Sequence, residues 1–288
     1  MGEIAGNVVI IGTGPAGISA ALYSVRSGIE TTVIGKGPGA LKKAEKIENY
    51  YGFPEPVTGR QLIENGMAQA KRLGAKIVAD EAVGLEYADK LTVKTATGEY
   101  AADCVILATG SPRRAPNIKG LAEYEGRGVS YCAVCDAFLY RGREVAVLGG
   151  GAYAQHEMEE LLPLAKHVTL LTHGAEPEFD PPPEVNVRTP KLLRLRGGDT
   201  LTGAELATGQ TEPFQGLFVA LGSASAGDLA QKLGLQLQRN AIPVDSRQET
   251  QLPGLFAAGD CTGAFAQVAF AVAEGARAGM GMIQYLRR

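Results

Sequence analysis

Cys132 and Cys135 lie three positions apart in the segment Cys132-Ala133-Val134-Cys135-Asp136. Thiols at that spacing can close a small, readily reduced ring. One of them attacks a foreign disulfide as the thiolate, and its partner resolves the mixed bond. Zinc ligation and a pair of buried structural thiols are the competing readings. Zinc would need a second ligand pair, and the sequence has no other Cys-x-x-Cys and no close pair of histidines. The other two cysteines stand apart: Cys104 reads as a small buried residue within a strand, and Cys261 as inert packing beside Asp260.

The dithiol falls between two glycine-rich turns. The first, Gly12-Thr13-Gly14-Pro15-Ala16-Gly17, follows the apolar run Val8 to Ile11 and precedes a helix expected over 16–27. Glycines there allow a tight turn and bring backbone N–H groups close to a pyrophosphate at the helix N-terminus. The second, Gly149-Gly150-Gly151-Ala152-Tyr153-Ala154, follows Val145 to Leu148. A dithiol beside a dinucleotide site describes an electron path from a cofactor to a disulfide.

Other elements must complete these sites. Cys104 to Gly110 reads as a buried strand ending in Thr109-Gly110, and Leu255 to Asp260 repeats that form. An acid at a strand end, here Asp260, can accept from ribose or ribityl hydroxyls; the plainer alternative is a helix cap. The last helix is expected to begin near Gln267. Thr31 to Ile34 is a short strand that ends in Gly35-Lys36-Gly37, without the acid usual for NAD. A helix over 229–233 and a strand over 242–244 are also expected.

The two turns lie about 137 residues apart, which suggests internal duplication of a dinucleotide fold. Pro112 and Pro116 mark entry to an insertion, and the Ser-, Ala- and Gly-rich stretch 222–227 marks the return. The predicted fold is α/β with two Rossmann-like, three-layer (ββα) domains. The first is discontinuous, 1–113 plus 223–288, and the inserted domain, 114–222, bears the dithiol. Pro181 to Pro183 fall in a loop, and the stretch from Pro177 to Thr211 reads as sparse and broken by Pro and Gly.

At 288 residues the chain can build two ordinary cores. With 45% hydrophobic and 20% charged residues it reads as a soluble globular protein. A net charge of −3 gives no sign of nucleic acid or an anionic membrane as partner. No apolar run approaches the roughly 20 residues of a spanning helix. The strand close to the N-terminus leaves no room for a signal peptide, and four cysteines are too few for a disulfide scaffold, so a reducing cytoplasm is expected.

Taken in order, these segments resemble the low-molecular-weight thioredoxin reductases over nearly the whole chain. The resemblance rests on Gly12 to Gly17, Ile47-Glu48-Asn49-Tyr50, Ala108 to Gly110, Cys132 to Asp136, Phe138 to Arg141, Gly149 to Ala154, Gly216 to Ala220 and Pro253 to Asp260. It implies that the first domain binds FAD, that the insertion carries the dithiol, and that the enzyme is a homodimer reducing thioredoxin or a similar protein. It implies that Cys135 faces the flavin, that Cys132 is the exposed attacking thiol, and that Asp136 protonates the departing thiolate. The residues placed at FAD are Gly12, Gly14, Pro15, Ala16, Gly17, Gly39, Ala40, Leu41, Asn49, Thr109, Gly110, Gly259, Asp260, Gln267 and Val268. Alternate contact of the dithiol with flavin and partner implies rotation about the crossings near Arg113 and Gly222.

The chain also departs from that family. Where the family has a His-Arg-Arg cluster for the 2′-phosphate of NADPH, this chain runs from Leu170 to Asp180 without Lys or Arg and with Glu176, Glu178 and Asp180. Tyr153 puts a bulky ring in the second glycine turn. Near the flavin, Pro38-Gly39-Ala40-Leu41 replaces Gly-Gly-Gln-Leu, Lys42-Lys43-Ala44 replaces a threonine run, and Ala266-Gln267 replaces Arg-Gln. These departures resemble a pyridine-nucleotide-independent branch fed by ferredoxin or another donor. Lys42, Lys43 and Lys46, or Arg113 and Arg114, are candidate docking cations for an acidic ferredoxin. An emptied nicotinamide pocket could hold a stacked aromatic or a second flavin. An ordinary NADPH-dependent reductase and a flavin redox sensor without turnover are the alternative readings.

Overall fold

The computed structural model describes residues 6–37, 39–111 and 116–288. Pro38, Pro112, Arg113 and Arg114, singled out from the sequence, lie outside the described residues. Six α-helices are present among the described residues: α1 (Pro15–Arg26), α2 (Gly59–Arg72), α3 (Ala133–Asp136), α4 (Ala152–Leu161), α5 (Ala226–Lys232) and α6 (Val268–Leu286). The chain divides into two compact units, Met1–Arg113 with Ser225–Arg288, and Arg114–Ala224.

The first unit is built on five parallel strands in the order Leu255–Ala257, Cys104–Leu107, Asn7–Ile11, Glu30–Ile34 and Lys76–Val78. Ile10 of the central strand pairs with Val33 on one side and Ile106 on the other. Continuous Val, Ile and Leu suit a strand covered on both faces, and Val8, Ile10, Val33 and Ile106 are all buried in the core. α1 and α6 pack backbone against backbone. A Cβ on Gly275 would lie 2.0 Å from the Ala16 carbonyl oxygen, so only glycine permits this approach. Ser19 Oγ adds a hydrogen bond between the two helices, donating to Val272 O at 2.7 Å.

The second unit repeats this plan. Its parallel sheet runs Asn186–Arg188, His167–Leu171, Glu144–Leu148, Gly216–Val219 and Val129–Ser130. In both sheets the central strand leads into the glycine turn, and the next strand in sequence lies beside it. Each unit also carries a three-stranded antiparallel meander, at Ala82–Tyr87, Leu91–Thr95 and Glu99–Ala102 in the first and Leu192–Gly197, Leu201–Leu206 and Thr211–Pro213 in the second. The fold is therefore mixed α/β with two Rossmann-like domains.

Three expectations need correction. The stretch from Pro177 to Thr211 is not merely a broken tail, since it supplies the edge strand Asn186–Arg188 and two strands of the meander. Leu192, Leu195, Leu201 and Leu206 turn inward to the core, while Arg194 and Arg196 reach outward to Glu205. Residues 242–244 do not form a strand. Arg239 and Asn240 have positive φ (52° and 64°), and Pro243 lacks a ladder donor, so only Ile242 N–H finds a partner, Cys261 O at 2.9 Å. The helix expected over 229–233 starts earlier, at Ala226, because Ser225 and Asp228 form a reciprocal capping box.

Candidate active site

Cys132 leaves the edge strand Val129–Ser130 and becomes the N-cap of α3, where its sulfur accepts from Cys135 N–H at 3.1 Å. Cys132 and Cys135 form a disulfide with Cα atoms 5.3 Å apart. Ser130 ties the neighbouring acid to this turn. Its hydroxyl donates to Asp136 Oδ2 at 2.7 Å and accepts from Cys132 N–H at 3.1 Å. From below, the buried carboxylate of Glu157 on α4 accepts from Ala133 N–H. Neither Ser130 nor Glu157 was identified from the sequence, because each meets the dithiol only through the fold.

Within the disulfide Cys132 is the buried partner and Cys135 is half-buried. That is the reverse of the exposure expected for an attacking Cys132, since the closed bond turns its sulfur into the α3 turn. Val134, Phe138 and Leu139 are exposed beside the pair, at 42%, 63% and 55%, and give it an apolar rim. Cys104 and Cys261 are free and buried. Burial pushes both thiols up to about 12, so neither is a thiolate near neutral pH.

The first glycine turn has the form a pyrophosphate needs. Gly12, at φ 124°, lies so close to the next strand that a Cβ would come 2.1 Å from Ala108 O. Gly14 caps α1 with Pro15 as its first residue, and a Cβ on Gly14 would meet no other atom within 4 Å. Ala16 and Gly17 are buried in the first turn of α1, so the N-terminus stays slim.

Around this turn the fold gathers most of the predicted residues. Asn49 Nδ2 donates to Gln267 Oε1 at 3.1 Å, and Gln267 caps α6, which starts at Val268. Asp260 accepts from Ser111 Oγ at 2.8 Å, so it is held by a side chain and does not serve as a helix cap. Gly259 N–H donates to Glu274 on α6 at 2.8 Å, and Thr262 donates to the same oxygen at 3.0 Å. Thr109 turns to α5, where its hydroxyl accepts from Ala226 N–H at 2.8 Å, and Gly110 beside it has φ 85°. Gly39, Ala40 and Leu41 open a short 3₁₀ helix, Gly39–Lys43. Ser111 and Glu274 were not identified from the sequence.

The second turn copies the first in its backbone. Gly149 has φ 155°, and a Cβ there would come 2.2 Å from Ala220 O. Tyr153 does not obstruct the turn as its size suggested, because the ring is fully buried and its hydroxyl donates to Tyr131 O at 3.0 Å. At the end of the neighbouring strand, His173 Nδ1 accepts from Leu192 N–H at 3.1 Å. Burial, assisted by the Lys191 charge, holds the His173 imidazole below its usual range. Lys191 reaches this strand end from a distant segment, its Cγ 3.1 Å from where a Cβ on Gly174 would lie. Glu176, Glu178 and Asp180 are exposed on the loop that follows.

Duplicated nucleotide folds, a glycine turn open to a pyrophosphate and a Cys-x-x-Cys disulfide together define a flavin-linked disulfide oxidoreductase. The family model for pyridine nucleotide-disulphide oxidoreductase matches residues 6–275, and the chain belongs to that family. Within it, the chain is 33% identical to a thioredoxin reductase of Aquifex aeolicus over 97% of its length and 93% of that protein's. Among solved structures it is similar to the atypical thioredoxin reductase TRi from Desulfovibrio vulgaris Hildenborough, with 44% identity, a TM-score of 0.92 and 98% of each chain covered. It is also similar to a ferredoxin-flavin thioredoxin reductase from Clostridium acetobutylicum, with 30% identity, a TM-score of 0.75 and 98% of each chain covered. The chain is thus a thioredoxin reductase-like oxidoreductase. No helix among the described residues is long and apolar enough to cross a membrane.

Proposed function

We propose that the protein carries electrons from bound FAD through Cys132 and Cys135 to a disulfide on thioredoxin or a similar protein, and that its donor is ferredoxin or another reductant in place of NADPH. The disulfide on its short helix, with Asp136 fastened beside it by Ser130, is the observation that carries the reading. FAD, when bound, supplies the electron pair that reopens the Cys132–Cys135 bond. Gly12, Gly14, Pro15, Ala16 and Gly17 would hold its pyrophosphate. Gly39, Ala40, Leu41, Asn49, Thr109, Gly110, Gly259, Asp260, Gln267 and Val268 would line the rest of the site. Asp260 is suited to its hydroxyls and the α6 N-terminus to its electron-rich edge.

In the reduced enzyme the Cys132 thiolate attacks one sulfur of the partner's disulfide. That S–S bond breaks, and the departing thiolate takes a proton from Asp136. Cys135, as thiolate, then attacks Cys132 Sγ, re-forms the internal disulfide and releases the partner's second thiolate, which is protonated from water. The buried position of Cys132 in the disulfide means that reduction must first free its sulfur. Alternate access to flavin and partner calls for rotation near Gly222, whose φ of 68° suits a hinge glycine. Val134, Phe138 and Leu139 would seat the partner.

The donor reading rests on the strand end of the second unit. A 2′-phosphate there would face exposed Glu176 and Asp180 and a His173 whose imidazole burial holds below its usual range, with Lys191 as the nearby cation. Two or three missing charge-assisted contacts cost roughly 1.5–3 kcal/mol each. The similarity to a ferredoxin-flavin thioredoxin reductase supports ferredoxin. Lys42 and Lys43 are exposed for its docking, whereas Lys46 is paired with Glu48 at 2.8 Å. Exposed Tyr51, Phe53, Phe265 and Phe270 on the first unit support a homodimer. Two free buried thiols accord with a reducing cytoplasm. Anaerobic mixing tests the donor. Reduced ferredoxin should bleach the flavin and open the disulfide, and rapid bleaching by micromolar NADPH would overturn the donor assignment.

A further inference from the structure

The two glycine turns share a backbone but differ in what lies against them. In this motif the second glycine keeps a side chain away from the place where a pyrophosphate meets the helix N-terminus. In the first unit that glycine is Gly14, and a Cβ on it would meet nothing within 4 Å. In the second it is Gly151, and a Cβ there would come 3.5 and 4.0 Å from the two carboxylate oxygens of Glu178 and 3.8 Å from its Cδ. An exposed acid of the same chain therefore lies at van der Waals distance from the space that glycine leaves beside its own backbone.

The acid is held there by its backbone. Glu178 N–H donates to Gly150 O at 2.7 Å. The preceding residues lie along the same turn, with Pro177 Cα at 3.6 Å and Glu176 O at 3.7 Å from a Cβ placed on Gly150. Thr172 closes the loop at its start by donating to Ala175 O. A carboxylate thus faces the first turn of α4, where the helix dipole favours an anion. It resembles in charge and position the pyrophosphate for which such turns are built.

We propose that Glu178 sets the donor specificity of this protein by occupying the pyrophosphate position of the second glycine turn, an inference that rests on the donor reading above and gives it a physical cause. A dinucleotide would have to break the Glu178–Gly150 link and bring its own anion against the carboxylate. The missing 2′-phosphate cluster discriminates between NADPH and NADH, whereas Glu178 excludes both. The closed position belongs to the chain itself, so the exclusion needs no second ligand.

ADP is the probe, because it carries a pyrophosphate and adenosine but neither a nicotinamide nor a 2′-phosphate. It is titrated calorimetrically into FAD-saturated protein, so that the first turn is filled. Glu178→Ala removes both bulk and charge but keeps the backbone link, and Glu178→Gln removes the charge alone. Flavin content and melting temperature report that each variant is folded. Glu178→Ala should bind ADP at least about tenfold more tightly than the parent chain, with Glu178→Gln between them. Adding Gly151→Val to Glu178→Ala should abolish the gain and so locate it at the turn. Equal ADP affinity in the parent and both variants overturns the proposal, and so does a gain that survives Gly151→Val. Neither result touches the donor reading, which falls only if NADPH rapidly bleaches the flavin of the parent chain.

Discussion

Replacing Gly14 with valine should separate two tasks that the first glycine turn combines, keeping the chain folded and keeping a cofactor bound. A Cβ on Gly14 would meet no other atom within 4 Å, and Gly14 has φ −76°, which any L-residue adopts. The folding cost is that of a poor N-cap, about 0.5–1 kcal/mol. The binding cost is larger, because the valine methyls stand where a pyrophosphate meets the N-terminus of α1. Losing two charge-assisted hydrogen bonds at roughly 1.5–3 kcal/mol each weakens FAD by about 10²–10⁴-fold. Gly12→Ala should do the opposite, since its Cβ would lie 2.1 Å from Ala108 O at a φ of 124°. Backbone strain there adds about 1–3 kcal/mol before the clash is counted. Flavin absorbance per chain and thermal unfolding of the flavin-free proteins read the two effects separately. A Gly14→Val protein that purifies fully flavinated would refute the placement of the cofactor.

Cys132→Ser and Cys135→Ser should each abolish disulfide reduction while the protein stays yellow. Cys135→Ser should trap a mixed disulfide with the partner, which mass spectrometry detects and which a sensor without turnover would not form. Asp136→Asn should slow turnover by roughly 10²–10⁴-fold, as expected for loss of a general acid, and an undiminished rate would leave Asp136 a structural role only. Cys104 and Cys261 should resist alkylation in the folded protein near neutral pH. Their thiols are raised from 9.0 to about 12 in the folded state, so the stabilisation they contribute is fully present below about pH 9. It is lost as pH rises from 9 toward 12, and denaturant midpoints that stay flat across that window would contradict it.

Much of the site was legible because its motifs are local. A strand, a glycine turn and a helix within 20 residues place Gly12 to Gly17 without knowledge of the rest of the fold, and the Cys-x-x-Cys pair closes within one turn of helix. Glu274 was not legible. It reaches Gly259 only because α6 folds back across α1, and nothing around it in sequence signals that contact. Lys191 shows the same limit more sharply. The stretch from Leu170 to Asp180 holds no cation, yet one arrives at its first turn through the pairing of later strands. Tyr153 was misjudged for a related reason, since its volume was visible but its direction was not. The second meander was obscured because its inward leucines are interrupted by a bulge between Leu192 and Arg194, which breaks the simple alternation of a strand.

Gly149 carries a wider consequence. Its lack of a side chain is demanded by the Ala220 carbonyl, a neighbour within the protein that is present whether or not anything binds. Ala154, at the last position of the motif, is likewise buried in the core. Selection for a sound fold is therefore enough to preserve the first and last letters of a nucleotide signature whether or not a ligand is still bound there. Only the middle glycine and the residues that lean on it record whether the site is still in use. A signature of this kind can outlive its purpose, as a keyhole can remain in a door whose lock has been filled from the inside.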